Sequence, residues 1–161
     1  MLALPEKILY TDYNGNFKAF LSDVYAVFKR DFVDDAPTYL GMRVGLKKYP
    51  LELDGKEHTF YHITHEGKDE ANRIPNIARM ECIPYPRFFI DNITHPDLLV
   101  WKNIRKSEER ILIYHKEQRY LVVLAYRKTY VLLWTAYVAD HDHTHRKLLK
   151  EFEAYKKART A

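Results

Sequence analysis

The stretch that decides the fold lies in the second half of the chain. It reads Arg110-Ile111-Leu112-Ile113-Tyr114-His115-Lys116, then Tyr120-Leu121-Val122-Val123-Leu124-Ala125-Tyr126, then Thr129-Tyr130-Val131-Leu132-Leu133-Trp134-Thr135-Ala136-Tyr137-Val138. Each run is rich in β-branched and aromatic residues, the usual content of strands. Only two or three residues separate consecutive runs. Links that short cannot carry a crossover, so neighbouring strands must be antiparallel. Val100 to Arg105 reads as a further strand upstream, giving a four-stranded meander. In the last strand, simple alternation places Tyr130, Leu132, Trp134, Ala136 and Val138 on one face. It places Val131, Leu133, Thr135 and Tyr137 on the other. Both faces are largely apolar, which suits a strand inside the sheet.

Working outward, residues 144–158 form a basic C-terminal helix that offers Leu148, Leu149, Phe152 and Tyr155 as apolar contacts. Asp142 or Thr144 supplies an N-cap. Toward the N-terminus, Asn14-Gly15 marks a turn. Phe17, Phe20, Leu21, Val24, Tyr25 and Phe28 then recur at helical spacing, predicting an amphipathic helix over 16–31. Asp34-Asp35-Ala36-Pro37 closes it. Residues 42–63 read as two strands, Met42 to Lys48 and His58 to Ile63, hinged at Asp54-Gly55. Residues 66–92 are loops and short helices, because Pro75, Pro84 and Pro86 forbid anything longer. The expected fold is α+β: an antiparallel β-meander packed against an N-terminal amphipathic helix, with short helices in the middle and a basic helix at the end. One domain spans 1–161.

Composition fits this picture. The 161 residues are 47% apolar and 30% charged, a globular balance that argues against disorder. Cys82 is the single cysteine, so no disulfide can form within the chain. Met1 to Tyr10 carries Glu6 and Lys7 and does not read as a leader peptide. No apolar run approaches the ~18 residues of a membrane span. The expected setting is the cytoplasm, with no membrane partner. Lys and Arg number 11 against 12 Asp and Glu over 1–80, and 15 against 10 over 81–161. A basic half interleaved with strands points to an anionic partner such as nucleic acid. The 13 tyrosines, 8 phenylalanines and 2 tryptophans supply rings on which bases can stack, or simply a tyrosine-rich sheet.

Motifs exclude several classes. There is no glycine-rich phosphate loop, GxSxG, HExxH or CxxC pair. Asp140-His141-Asp142-His143-Thr144-His145 contains metal-ligand residue types but lacks a second ligand cluster. It reads as a helix start, and neither a metal nor a cofactor is expected. The candidate site residues come from three segments. His62, in a predicted strand, has the reference pKa of an acid or base near neutrality. Strand alternation turns His65 to the opposite face; the alternative for either is a half-buried histidine bonded to backbone. Arg73 and Arg79, followed by Arg87, can grip phosphate with forked donors, or pair with Asp69, Glu70 and Glu81. Thr135 and Tyr137 place hydroxyls on an interior strand, where they bond to neighbouring strands or line a cleft.

Taken together, Phe60-Tyr61-His62, the arginine loop, Ile83-Pro84-Tyr85, the three strands and the tail His145-Arg146-Lys147-Leu148-Leu149-Lys150-Glu151 resemble the phage-associated branch of the barnase–EndoU–colicin E5/D–RelE-like nuclease superfamily. The resemblance covers about 60–159, with a core over roughly 58–159. It implies a helix on a four-stranded antiparallel sheet and metal-independent endoribonuclease activity of phage or prophage type, in a toxin or effector. It also implies an RNA substrate and an antitoxin or immunity protein as partner. In that scheme His62 moves the proton, Arg73 and Arg79 hold the phosphate, and Thr135 and Tyr137 complete the pocket. The alternatives are an RNA-binding module without catalysis and a protein-interaction or structural domain.

Overall fold

The computed structural model describes residues 1–50, 55–69 and 72–160. Asn16 opens the first helix, α1 (Phe17–Phe28), its Oδ1 accepting the Ala19 amide at 3.0 Å. The helix ends in one wide turn, Lys29–Val33. Two short strands follow, β1 (Thr38–Tyr39) and β2 (Met42–Gly45). Next come α2 (His58–Thr64), β3 (His65–Glu66), β4 (Ile74–Pro75), α3 (Ile77–Glu81) and α4 (Tyr85–Asp91). The meander then runs through β5 (Leu98–Arg105), β6 (Glu108–His115), β7 (Tyr120–Tyr126) and β8 (Val131–Val138), and α5 (Asp142–Thr160) ends the chain.

The four long strands pair consecutively and antiparallel, as their short links require. They belong to a larger, mixed sheet with the order β1-β2-β8-β7-β6-β5. β2 joins β8 in parallel, Val44 facing Val131. β8 is therefore an interior strand paired along both edges, and its two faces pack into separate apolar clusters, which explains its apolar character on both.

One expectation fails in the middle of the chain. Residues 58–64 are helical, not a returning strand, and Asp54 of the expected hairpin lies outside the described residues. The segment is rich in strand-favouring residues, but Phe60 and Ile63 are one helical turn apart and both are fully buried. Burying that pair against the sheet, at ~1.5–3 kcal/mol per large apolar side chain, outweighs the intrinsic preference. Thr64 fits the helix by returning its hydroxyl to the Phe60 carbonyl, 2.7 Å away.

The face assignment on β8 also changes. Leu133 pairs with Leu124 and Thr135 with Val123, so Trp134 is an extra residue with no partner opposite. This bulge resets the alternation. Leu133 and Ala136, three apart, both enter the core that holds Phe20, Val24, Phe28, Phe60 and Ile63. Trp134 and Tyr137 both pack with the second cluster, where Trp101, Leu112, Leu121 and Val123 meet Leu148 of α5. The sheet thus has helices on both faces. The start of α5 differs as well: the His145 amide bonds to the His141 carbonyl at 3.1 Å, and Asp142 is already inside the helix. The Asp142 carboxylate takes a 2.8 Å bond from Arg119 instead of capping. Thr144 lies in the first turn, so neither expected cap is one. Among the described residues, no helix is long and apolar enough to cross a membrane.

Candidate nucleic-acid interface

The side of β8 that carries Trp134 and Tyr137 borders three recesses in sequence. At its start, Lys47, His58, Thr59 and His62, with Leu132, Leu133 and Trp134, enclose about 70 Å³. In the middle, a groove of about 130 Å³ runs beneath α5, with Asn103, Arg105, Arg110, Thr135, Tyr137 and Glu151 as its polar lining. At the end, an open polar cleft of about 320 Å³ is lined by Glu66, Asn76, Arg79, Tyr137, Asp140, His141 and Thr144, with Val138 and Ala139.

Two aromatic residues link these recesses. The Trp134 ring has the Arg110 guanidinium 5.0 Å from its centre and the His62 ring 5.8 Å away. Tyr137 belongs to both the groove and the cleft, with the Arg79 guanidinium 5.6 Å from its ring. Both separations lie within cation–π range.

Local structure fixes Arg79 firmly. Asn76 precedes α3 and its Oδ1 accepts the Arg79 amide at 3.0 Å, while its Nδ2 donates to Glu66 at 2.5 Å. Arg79 Nη1 donates to the His65 carbonyl at 2.8 Å. Burial pushes the Arg79 pKa below its ordinary value, and the nearby Glu66 opposes that shift. Arg73 stands close enough to add like-charge repulsion. The β3–β4 pairing brings it there, and its buried Nε has no hydrogen-bond partner among the described residues. Burial raises the Tyr137 pKa, with Arg105 and Arg79 pulling it back down. Arg79 is thus a half-buried cation against a ring, with a second cation, Arg73, and one carboxylate, Glu66, beside it.

The sequence-derived residues are therefore distributed along the strand. Arg73 and Arg79 are neighbours. Thr135 and Tyr137 share the groove, and Tyr137 joins it to Arg79. His62 borders a different recess from Arg79. Their neighbours Trp134 and Tyr137 are three strand positions apart, or roughly 10 Å at the usual rise. The reason for separating His62 from His65 also changes, because His62 lies in the last turn of α2 and His65 follows the helix as the first residue of β3. His62 faces Trp134; His65 contacts Thr64 Oγ1 through Nδ1 at 2.9 Å, and its ring lies tilted against Tyr61 with centres 4.7 Å apart. Arg87 is a structural clasp. It bonds Asp91, the Asp35 carboxylate and the carbonyls of Asp31 and Asp35. Asp69 and Glu81 are among the described residues; Glu70 is not.

Along 140–145, His141 and His143 stack at 5.9 Å and His145 Nδ1 lies 2.6 Å from the Tyr114 hydroxyl. Among the described residues, no three His, Cys, Asp or Glu side chains are grouped to hold a metal.

Sequence reasoning missed Lys47, Asn103, Arg105, Arg110 and Glu151. Glu151 had a legible signal: it follows Leu148 by three and precedes Tyr155 by four, so helical spacing turns it toward the sheet. Asn103 and Arg110 had none, since their pairing across β5 and β6 is a matter of register. In comparisons with known proteins, the chain matches no family profile, no curated protein and no solved structure.

Proposed function

We propose that this protein binds single-stranded RNA along the β8 band. The observation that carries the reading is the linkage of three polar recesses by Trp134 and Tyr137, each ring with a guanidinium over it. Proteins that hold single strands combine a cationic track with aromatic platforms on which bases stack, at ~1–3 kcal/mol per base. Lys47, Arg110, Arg105, Arg79 and Arg73 supply the track, and the resemblance to a nuclease superfamily favours RNA as the strand.

A second reading, metal-independent cleavage, is favoured by one specific feature. Tyr137 joins the arginine cleft to a groove holding a carboxylate and a hydroxyl, Glu151 and Thr135. A strand whose phosphate rests on Arg79 would place its ribose toward that groove. A base then removes the 2′-hydroxyl proton, the oxygen attacks the adjacent phosphorus, and the 5′-oxygen leaves with a proton. His62, some 10 Å along the strand, serves a neighbouring nucleotide.

Fluorescence anisotropy with a labelled RNA oligonucleotide, over a salt series, tests binding. The expected result is an affinity that falls as salt rises and falls again in Trp134→Ala. Absence of binding at low salt refutes the reading. Incubation of RNA with chelator, resolved on a gel, tests cleavage: intact RNA leaves the binding function alone.

A further inference from the structure

The groove beneath α5 contains polar atoms that the fold leaves unused. Asn103 Oδ1 is buried and has no hydrogen-bond partner among the described residues. Its amide nitrogen donates to Glu151 Oε1 at 2.6 Å, and Trp101 Nε1 donates to the same oxygen at 3.0 Å. Both donors converge on one carboxylate oxygen. That fixes the side chain through Oε1 and leaves Oε2 outside this pair of bonds. A buried carbonyl without a donor costs stability, so its persistence needs an explanation. Here a buried carbonyl without a donor and the carboxylate bonded to the same side chain line one groove.

We propose that this groove is a ribose subsite, in which Asn103 Oδ1 and Glu151 accept the hydrogen bond of a 2′-hydroxyl and so select RNA over DNA. The inference rests on the reading of the β8 band as a single-strand site and adds the sugar to it. The chemistry matches on three counts. The vacant groups are acceptors, and a 2′-hydroxyl is a donor that deoxyribose lacks. The groove, at about 130 Å³, is well below the ~300 Å³ of a site for a whole small ligand, so it admits one edge of a strand held elsewhere. The strand is held by the neighbouring groups: Arg105 and Arg79 both influence Tyr137 electrostatically, and Arg110 lies on Trp134. These cations offset the repulsion between Glu151 and the phosphates.

A site that hydrogen-bonds a hydroxyl discriminates strongly against the analogue lacking it, because its own acceptors are left unpaired. With one or two acceptors at stake, RNA should bind about 10- to 100-fold tighter than DNA of the same sequence. The experiment measures anisotropy of matched RNA, DNA and 2′-O-methyl oligonucleotides against the full chain at one fixed salt, with oligonucleotide integrity checked on a gel. The expected result is that RNA binds tightest, and that Glu151→Gln and Asn103→Ala each bring the RNA-to-DNA ratio close to one. The ratio cancels the general gain from removing a negative charge. Circular dichroism confirms the fold of each variant. Should either fail to fold, wild-type protein with RNA carrying single deoxy substitutions gives the same answer: one position must account for most of the preference. Equal affinity for RNA and DNA overturns the ribose subsite while leaving single-strand binding in place. Binding of neither overturns both. A preference that survives both substitutions also overturns it.

Discussion

Arg79→Met is the most informative single substitution. It keeps most of the apolar stem and removes the charge and the fork. In the folded protein the change deletes a 2.8 Å bond to the His65 carbonyl and the stack on Tyr137. A charged hydrogen bond contributes ~1.5–3 kcal/mol and a partly desolvated cation–π contact ~0.5–2 kcal/mol. Against this loss stands the cost of burying the cation, the same burial that lowers its pKa. The two sides largely offset, and the variant should be destabilised by no more than ~1–2 kcal/mol. RNA binding should suffer more. One lost phosphate contact lowers the slope of log affinity against log salt by ~0.7 for a single strand. Near physiological salt the affinity should fall roughly tenfold, or ~1.4 kcal/mol. Anisotropy titrations at four or more salt concentrations give both quantities, and urea melts give the stability. An unchanged slope and affinity in folded Arg79→Met would refute the assignment of Arg79 to a phosphate, whatever else the protein binds.

Arg87→Ala should do the opposite. Its guanidinium holds two carbonyls of the 31–35 segment at 2.8 and 3.1 Å, so their loss should cost ~1–3 kcal/mol and lower the urea midpoint by about 1 M, with the salt slope unaltered. Trp134→Ala should weaken RNA binding by ~1–3 kcal/mol, and equal affinity in a titration beside the wild type would remove the stacking platform. Burial lowers the pKa of His115, which lies 5% exposed. The unfolded chain therefore takes up a proton near pH 6.5 that the folded chain resists; stability is full above that pH and declines below it. Urea midpoints at pH 7.5 and 5.5 should show a smaller drop for His115→Asn than for the wild type. If RNA is cut in the presence of chelator, His62→Ala should slow cleavage less than Glu151→Gln does, because Glu151 shares a groove with Thr135 and Tyr137.

The sequence by itself determined the meander. From residue 98 to 138 the strands are long and their links short, so local pattern and chain connectivity leave one arrangement. It likewise determined α1, through its apolar spacing, and the inward face of α5. What it could not determine were features where several weak preferences compete across space. His58 to Thr64 has strand-forming residues and a helix-compatible Phe60–Ile63 pair, and only the sheet beneath it decides between them. The parallel seat of β2 beside β8 joins segments that no local rule connects. The bulge at Trp134 reassigns every side chain after it, because alternation has period two and one extra residue inverts it. The candidate site divides along the same line. Arg73, Arg79, Thr135 and Tyr137 were visible as residue types, and the turn and strand that hold them bring them together. Asn103, Arg105, Arg110 and Glu151 join them only through strand register and the docking of α5. His62 borders a separate recess because its segment is a helix: a side chain's direction follows from the backbone that carries it, and tertiary packing chose that backbone.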